Sequence, residues 1–431
     1  MNSIFVPEKE VVIINMILYI ALALYCIIRY RFKNLATLAS LLYAIGGISS
    51  YLLFIFPLYS GTFSGKSTCH IDACLYMFSI NGLFILSLSK MSMDHITHIT
   101  HYNSELLLRV QKLVCMVFTA ILVVEFPTSI WNYFTYGDLG ILRDLSRELA
   151  ISNVLAISIL QRLFGATSIL LLSITVIRLL IYRHLTSWDK YAMLMYLLYK
   201  LNIIFSLASR ATMIWAIIEV LVVLVLFWSF MSKTIKRGIL LYFSIILIAF
   251  YSITVTISIA RFGNVGNTQQ FATLQYAGQA NLNAMALAYK DLKQPFMGYI
   301  QFPLFRRILG LDYDKGKDQD FVYNTYVRDK LGYPNPVYIF HGLAGDLYLN
   351  FGWLTPVILA ITIYIFMRKR RRSNYSISSF GIIMAIFMAS VICKGVFFLD
   401  YRSESGNLLL VYLCLFYFIL NKYGRTVRIA T

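Results

Sequence analysis

The sequence predicts an all-α protein that crosses a membrane about eleven times and has one long polar segment on its outer face. Hydrophobic residues make up 59% of the 431 residues, and the mean hydropathy is +0.70, values typical of a chain that is mostly surrounded by lipid. Apolar runs of about 17–25 residues recur, each long enough to cross the ~30 Å hydrocarbon core. Short basic clusters alternate with these runs, as the positive-inside rule requires.

The apolar runs divide the chain into three predicted parts. An N-terminal transmembrane bundle occupies residues 1–260, a long outer loop occupies 261–345, and C-terminal transmembrane helices occupy 346–431. The predicted spans are 11–28, 35–59, 71–92, 108–130, 151–182, 191–208, 211–231, 238–260, 346–367, 377–398 and 406–421.

The formal charge of +18 is explained by topology. When the spans are threaded in order, all six basic clusters fall on one side, which the positive-inside rule makes cytoplasmic. The N-terminus and the long loop are then outside, and the C-terminus is inside. Contact with lipid headgroups accounts for most of the excess, so nucleic acid is not an expected partner. The clusters are Arg29–Lys33, Lys90–Lys112, Arg178–Lys190, Lys233–Arg237, Arg368–Arg372 and Lys422–Arg428.

Cysteine and histidine give no metal-binding pattern, and no metal or other cofactor is expected. Most of the six cysteines lie inside apolar runs, where cysteine behaves as a small hydrophobic residue. His95, His98 and His101 recur at intervals of three. We interpret them as one face of a helix that contacts solvent or headgroups, with a metal site as the alternative.

Charged residues inside the predicted spans indicate pairing or function, because an isolated charge in lipid is costly. Arg162, Lys200 and Lys394 are the basic ones, and Glu125 and Glu219 are the matching acids. Lys200 and Glu219 are nearly equidistant from the tight outer turn at Ala208–Arg210. An antiparallel helix pair would place them at one depth, so the sequence predicts an ion pair there, with a proton relay as the alternative.

The long loop combines a predicted helix, turns and many aromatic side chains. Gln269–Leu292 contains good helix formers, which predicts an amphipathic helix along the membrane interface. The aromatic residues that follow would form a small core and also a platform for carbohydrate, because sugars stack their apolar faces on aromatic rings.

Arginines at the outer face point to an anionic ligand. Arg210 ends a span there, Arg402 lies in the outer turn Asp400–Gly406, and Arg261 opens the long loop. The planar guanidinium group binds phosphate oxygens in a bidentate manner, although headgroup contact is an alternative for each. The loop ends in the segment His341–Gly352, which runs into the next span and includes Asp346.

These three features together resemble the Wzy-type oligosaccharide repeat-unit polymerases, which make O-antigen and capsule and are related to the O-antigen ligases. The features are the arginine turn at 209–210, the late outer loop ending in His341–Gly352, and the basic-capped final helices. The resemblance implies a glycosyltransferase-C-like fold in the bacterial inner membrane. It also implies transfer of a glycan from its undecaprenyl diphosphate carrier to an incoming repeat unit, without a metal or a nucleotide sugar.

The resemblance also implies roles for individual residues. His341 would take the proton of the acceptor hydroxyl, and Asp346 would be the alternative base or would orient His341. Arg210, Arg402 and Arg261 would bind the diphosphate. The implied partners are the donor and acceptor lipid-linked glycans, membrane lipids and a chain-length regulator protein. An O-antigen ligase and a flippase or exporter of lipid-linked oligosaccharide are the alternative functions.

Overall fold

The computed structural model is mostly helical, and seven helices among its described residues are long and apolar enough to cross a membrane. The protein is therefore membrane-embedded. The described residues are 8–55, 70–91, 93, 96–135, 155–182, 184–207, 210–231, 236–238, 241, 244, 248, 252, 278–285, 301–310, 341–372, 376–397, 399, 401 and 403–428.

Most of the predicted spans correspond to helices. In chain order these are α1 (Glu8–Tyr30), α2 (Leu35–Ile55), α3 (Ile71–Leu88), α4 (Ser104–Thr135), α5 (Leu155–Phe164), α6 (Ser168–Tyr182), α7 (Ser187–Leu207) and α8 (Arg210–Phe227). A 3-10 turn at Gly165–Thr167 joins α5 to α6. The predicted span 238–260 lies almost entirely outside the described residues, so the count of eleven stays a prediction.

Shorter helices follow in the later part of the chain. Residues 278–285 form α9, and these are followed by α10 (Pro303–Ile308), α11 (Gly342–Phe351), α12 (Leu354–Arg372), α13 (Ser379–Lys394) and α14 (Glu404–Tyr423). The predicted span 346–367 is divided between α11 and α12. The break falls at Gly352, whose φ of +76° is a left-handed conformation that glycine adopts without steric cost.

The chain forms two compact units that are interleaved in sequence. The first contains residues 1–92, 270–373 and 391–403, and the second contains 93–269, 374–390 and 404–431. In the first unit, α1 packs along α2, and α12 packs along α3. In the second unit, α4 packs against α7, and α14 packs against α5.

The structure is consistent with the predicted all-α polytopic membrane protein, but its second unit also includes a small three-stranded sheet that the sequence did not indicate. Strand β1 (His98–Tyr102) is central, pairing in parallel with β2 (Ser376–Ser378) and antiparallel with β3 (Arg425–Arg428). The three strands come from connections that the predicted topology puts on one side of the membrane. Their pairing agrees with that shared side, while its identity as the cytoplasmic side stays a prediction.

The sheet also corrects the interpretation of the histidines. His98 and His101 belong to β1 and not to a helical face, and His101 has a φ of +53°. His98 Nδ1 lies 2.8 Å from the hydroxyl of Thr97. His95 lies outside the described residues. Strand formation here depends on partners almost three hundred residues away, which no local pattern could indicate.

Candidate functional site

The site begins at the N-terminus of α11. There two backbone N–H groups form hydrogen bonds to the segment that follows α13, within the first unit. Gly342 N–H donates to the carbonyl oxygen of Phe397 at 2.8 Å, and Leu343 N–H donates to that of Gly395 at 2.6 Å. Gly342 has a φ of +67°, and a Cβ there would lie 3.2 Å from the oxygen of Gly395. Glycine is therefore required immediately after His341 for this segment to fit.

His341 and Asp346 form a buried pair at this point. His341 Nδ1 lies 3.3 Å from Asp346 Oδ1, and each residue is only 1% exposed. Asp346 Oδ2 accepts a hydrogen bond of 2.8 Å from the Leu399 N–H. The first turn of α11 thus brings together two of the residues that sequence analysis assigned to the site.

Close packing around the pair explains why residue 345 is also a glycine. A Cβ at Gly345 would lie 2.9 Å from His341 Cβ, which is closer than real side chains allow, and 3.1 Å from Ala284 Cβ, which is a tight contact. Because Gly345 has no side chain, α9 can approach α11 beside the pair. Gly342 and Gly345 therefore serve the geometry of this site, the first through its backbone angle and the second through close approach.

The geometry assigns distinct parts to the two side chains. A carboxylate only accepts hydrogen bonds, so the contact with Asp346 requires a proton on Nδ1 of His341, and in the neutral imidazole this leaves the lone pair on Nε2. With one oxygen held by the Leu399 N–H, Asp346 is fixed in place and can orient the imidazole ring. Of the two roles considered for Asp346, this arrangement favours that of an orienting group.

Tyr401 also lies near Asp346, although no sequence pattern indicated it. Burial, together with the nearby charge of Asp346, raises the pKa of its phenol to about 12. The phenol is therefore neutral and able to donate a hydrogen bond. Tyr401, which lies near Asp346, immediately precedes Arg402 in the sequence.

Helix α9 is also next to the pair, and for its described part the prediction was right about the helix but wrong about its place at the interface. The predicted amphipathic helix at Gln269–Leu292 would have a face in the membrane interface, but its described part, 278–285, is buried on all sides. Gly278 lies against the backbone of Ser49 and Ser50, and its carbonyl oxygen accepts a 2.7 Å hydrogen bond from the Ser50 hydroxyl. Packing in the first unit thus buries a segment whose pattern indicated the interface.

The predicted diphosphate-binding arginines are described only in part. Arg210 is the first residue of α8, in the second unit, and only its backbone is described. Arg402 and Arg261 lie outside the described residues. That Arg210 lies in one site with His341 and Asp346, as the roles assigned from the sequence imply, therefore stays a prediction.

The predicted membrane ion pair is confirmed. Lys200 Nζ lies 3.1 Å from Glu219 Oε2, and the Tyr196 hydroxyl donates to that same oxygen at 2.7 Å. Both charged residues are buried between α7 and α8 of the second unit. The other acid predicted within a span, Glu125, accepts a hydrogen bond from Gln161 and another, of 3.1 Å, from Asn202.

A second buried ion pair was missed by sequence analysis, which assigned Arg178 to headgroup contact. Arg178 Nε donates to Asp189 Oδ1 at 2.7 Å, and the two side chains are 6% and 0% exposed. Burial raises the pKa of Asp189, but hydrogen bonds from Thr186, Arg178 and Gln111 outweigh this and hold the pKa below its ordinary value. This ion pair joins α6 to α7 and stabilises their packing.

No protein-family model, curated protein or solved structure matches the chain. The site is therefore interpreted from its own geometry and from the sequence features described above.

Proposed function

We propose that the protein is a glycosyltransferase that polymerises oligosaccharide repeat units carried on undecaprenyl diphosphate. The reaction would take place at the outer leaflet of the bacterial inner membrane and would yield O-antigen or capsular polysaccharide. The observation that carries the proposal is the buried His341–Asp346 pair, with its Nδ1–Oδ1 separation of 3.3 Å. It lies where the predicted outer loop returns to the membrane.

The pair supports a general-base mechanism. Nε2 of His341 accepts the proton of the acceptor sugar's hydroxyl as that oxygen attacks the anomeric carbon of the donor glycan. The bond between the anomeric carbon and the phosphate oxygen breaks, and undecaprenyl diphosphate leaves with the electron pair. Asp346 holds the imidazole ring in the required orientation and stabilises the positive charge that His341 gains.

Shielding from water also supports transfer to a sugar. A glycosyl donor can react with any hydroxyl group that reaches it, and water would release the chain by hydrolysis. The 1% exposure of His341 and of Asp346 is consistent with a reaction from which bulk water is excluded.

The diphosphate needs fixed positive charge near the pair. Arg402 follows Tyr401, which lies close enough for the charge of Asp346 to raise its pKa, so we assign Arg402 to the leaving group. Arg210 and Arg261 are assigned to the diphosphate as well, from their predicted positions at the outer face.

The test is a strain from which the gene has been deleted. Undecaprenyl-linked single repeat units should accumulate there, and the wild-type gene should restore long polymer. Free polymer that fails to reach lipid A would instead indicate a ligase. Repeat units that stay at the cytoplasmic leaflet would indicate a flippase. Normal polymer in the deletion strain would contradict the proposal.

A further inference from the structure

Two buried asparagines beside the His341–Asp346 pair have polar atoms that the described part of the chain does not satisfy. Asn281 is 8% exposed and Asn350 is 1% exposed. Neither the Asn281 Nδ2 nor the Asn350 Oδ1 has a hydrogen-bond partner among the described residues. Buried polar atoms are nearly always hydrogen-bonded, so an unsatisfied donor and an unsatisfied acceptor near one site point to a ligand.

Asn350 is tied directly to the pair. It lies one turn after Asp346 on the same face of α11, and its Nδ2 donates to the Asp346 carbonyl oxygen at 2.7 Å. This hydrogen bond fixes the amide group, leaving Oδ1 as an oriented acceptor next to the carboxylate-bearing residue.

Helix geometry places Asn281, on α9, near the same point. It lies one turn before Ala284, the residue whose Cβ would be 3.1 Å from a Cβ at Gly345. Leu282 and Met285 pack in the apolar cluster with Val11, Val12, Leu53 and Cys74, which fixes the rotation of α9 about its axis. Asn281 therefore lies on the part of α9 next to the face that meets α11.

We propose that Asn281 and Asn350 bind hydroxyl groups of the lipid-linked glycan, a role that rests on the proposed function. A sugar hydroxyl both donates and accepts: it can donate to the Asn350 Oδ1, while another can accept from the Asn281 Nδ2. Phosphate oxygens only accept at neutral pH, so an acceptor such as Oδ1 disfavours the diphosphate. The two amides thus fit the saccharide part of the substrate.

The test uses purified protein in lipid nanodiscs and the lipid-linked repeat unit extracted from the deletion strain. Asn281→Leu and Asn350→Leu remove the amide but keep the number and branching of the side-chain heavy atoms. Each should raise KM for the repeat unit about 10-fold, the loss of about one hydrogen bond, and leave kcat within about twofold. Asn281→Leu should not lower the melting temperature, because an unsatisfied donor is removed, whereas Asn350→Leu also removes the hydrogen bond to the Asp346 carbonyl oxygen and should lower it slightly.

Asn15→Leu is the matched control. Asn15 is 2% exposed, its Nδ2 also lacks a described partner, and its Oδ1 faces Cys74 Sγ at 3.9 Å. Its KM should equal that of the wild type. If a leucine variant fails to accumulate, the alanine variant at that position takes its place, with the same KM expected.

Three outcomes are distinguished by these measurements. Raised KM with unchanged control supports the proposal. Unchanged KM in both variants, while the wild type extends glycan, overturns it and leaves only water or structural packing for these amides. Failure of the wild type to extend any glycan overturns the proposed function itself.

Discussion

Removing one partner of the Lys200–Glu219 ion pair should destabilise the protein more than removing both. The two side chains are only 11% and 3% exposed and approach to 3.1 Å. At an effective dielectric constant of about 20, charges at this distance attract by about 5 kcal/mol, which offsets the cost of removing them from water. Lys200→Met or Glu219→Gln leaves one buried charge without its counter-ion, at a cost of about 3–5 kcal/mol.

The double variant Lys200→Met/Glu219→Gln should recover most of that loss. It leaves no buried charge, and the glutamine can still accept the hydrogen bond that Tyr196 now donates to Glu219. Double-mutant cycles isolate such a coupling when the two residues are in direct contact. A double variant that is no more stable than the worse single variant would refute the pairing.

The assay is the melting temperature of purified protein in detergent, followed by size-exclusion chromatography with fluorescence detection. The control is Arg109→Met, because Arg109 pairs with Glu105 on α4 where both side chains are more than 70% exposed. This change should leave the melting temperature unaltered, since exposed ion pairs contribute little.

Three further predictions follow from the structure and the predicted topology. Arg178→Met should lower the melting temperature strongly, about as much as Lys200→Met, because it leaves a buried carboxylate unpaired; an unchanged melting temperature would contradict that. Arg210→Ala should abolish polymer in the complemented deletion strain at unchanged protein level. Arg210→Lys should restore little, because the bidentate guanidinium group is replaced by a point charge. Full-length polymer from the alanine variant would exclude the diphosphate role. Cysteines introduced at His98 and Ser376 should be labelled by an impermeant reagent from one and the same side of the membrane, and a cysteine at Lys317 from the other; labelling of all three from one side would refute the topology.

The parts of the structure that sequence analysis predicted depend on local geometry. Helices follow from long apolar runs, and the depth of Lys200 and Glu219 follows from their equal distance to the turn at 208–210. His341 and Asp346 are only five residues apart, so their spacing placed them in one site, while their contact also depends on the left-handed backbone of Gly342. Each of these inferences needed only helix geometry and sequence spacing.

The parts that it missed depend on packing between distant segments. The strands of the sheet lie near residues 100, 377 and 427, and none shows an alternating pattern long enough to predict a strand. Arg178 is close to a helix end among other basic residues, and only its burial with Asp189 distinguishes it from a headgroup contact. Helix α9 has polar side chains at 279, 281 and 283. Such side chains predict a helix at the membrane interface, and only the packing of other segments around α9 shows that it is buried.

The most direct test of the central claim is the reaction of purified protein with its proposed substrate. Reconstituted with undecaprenyl-linked repeat units alone, in the presence of EDTA and without nucleotide sugars, the wild type should form longer glycans and release undecaprenyl diphosphate. His341→Ala should slow this by about 10²–10⁴-fold, the contribution of a general base, when the rates are compared at equal amounts of folded protein. Chain growth at the wild-type rate by His341→Ala, or no growth by the wild type, would contradict the account.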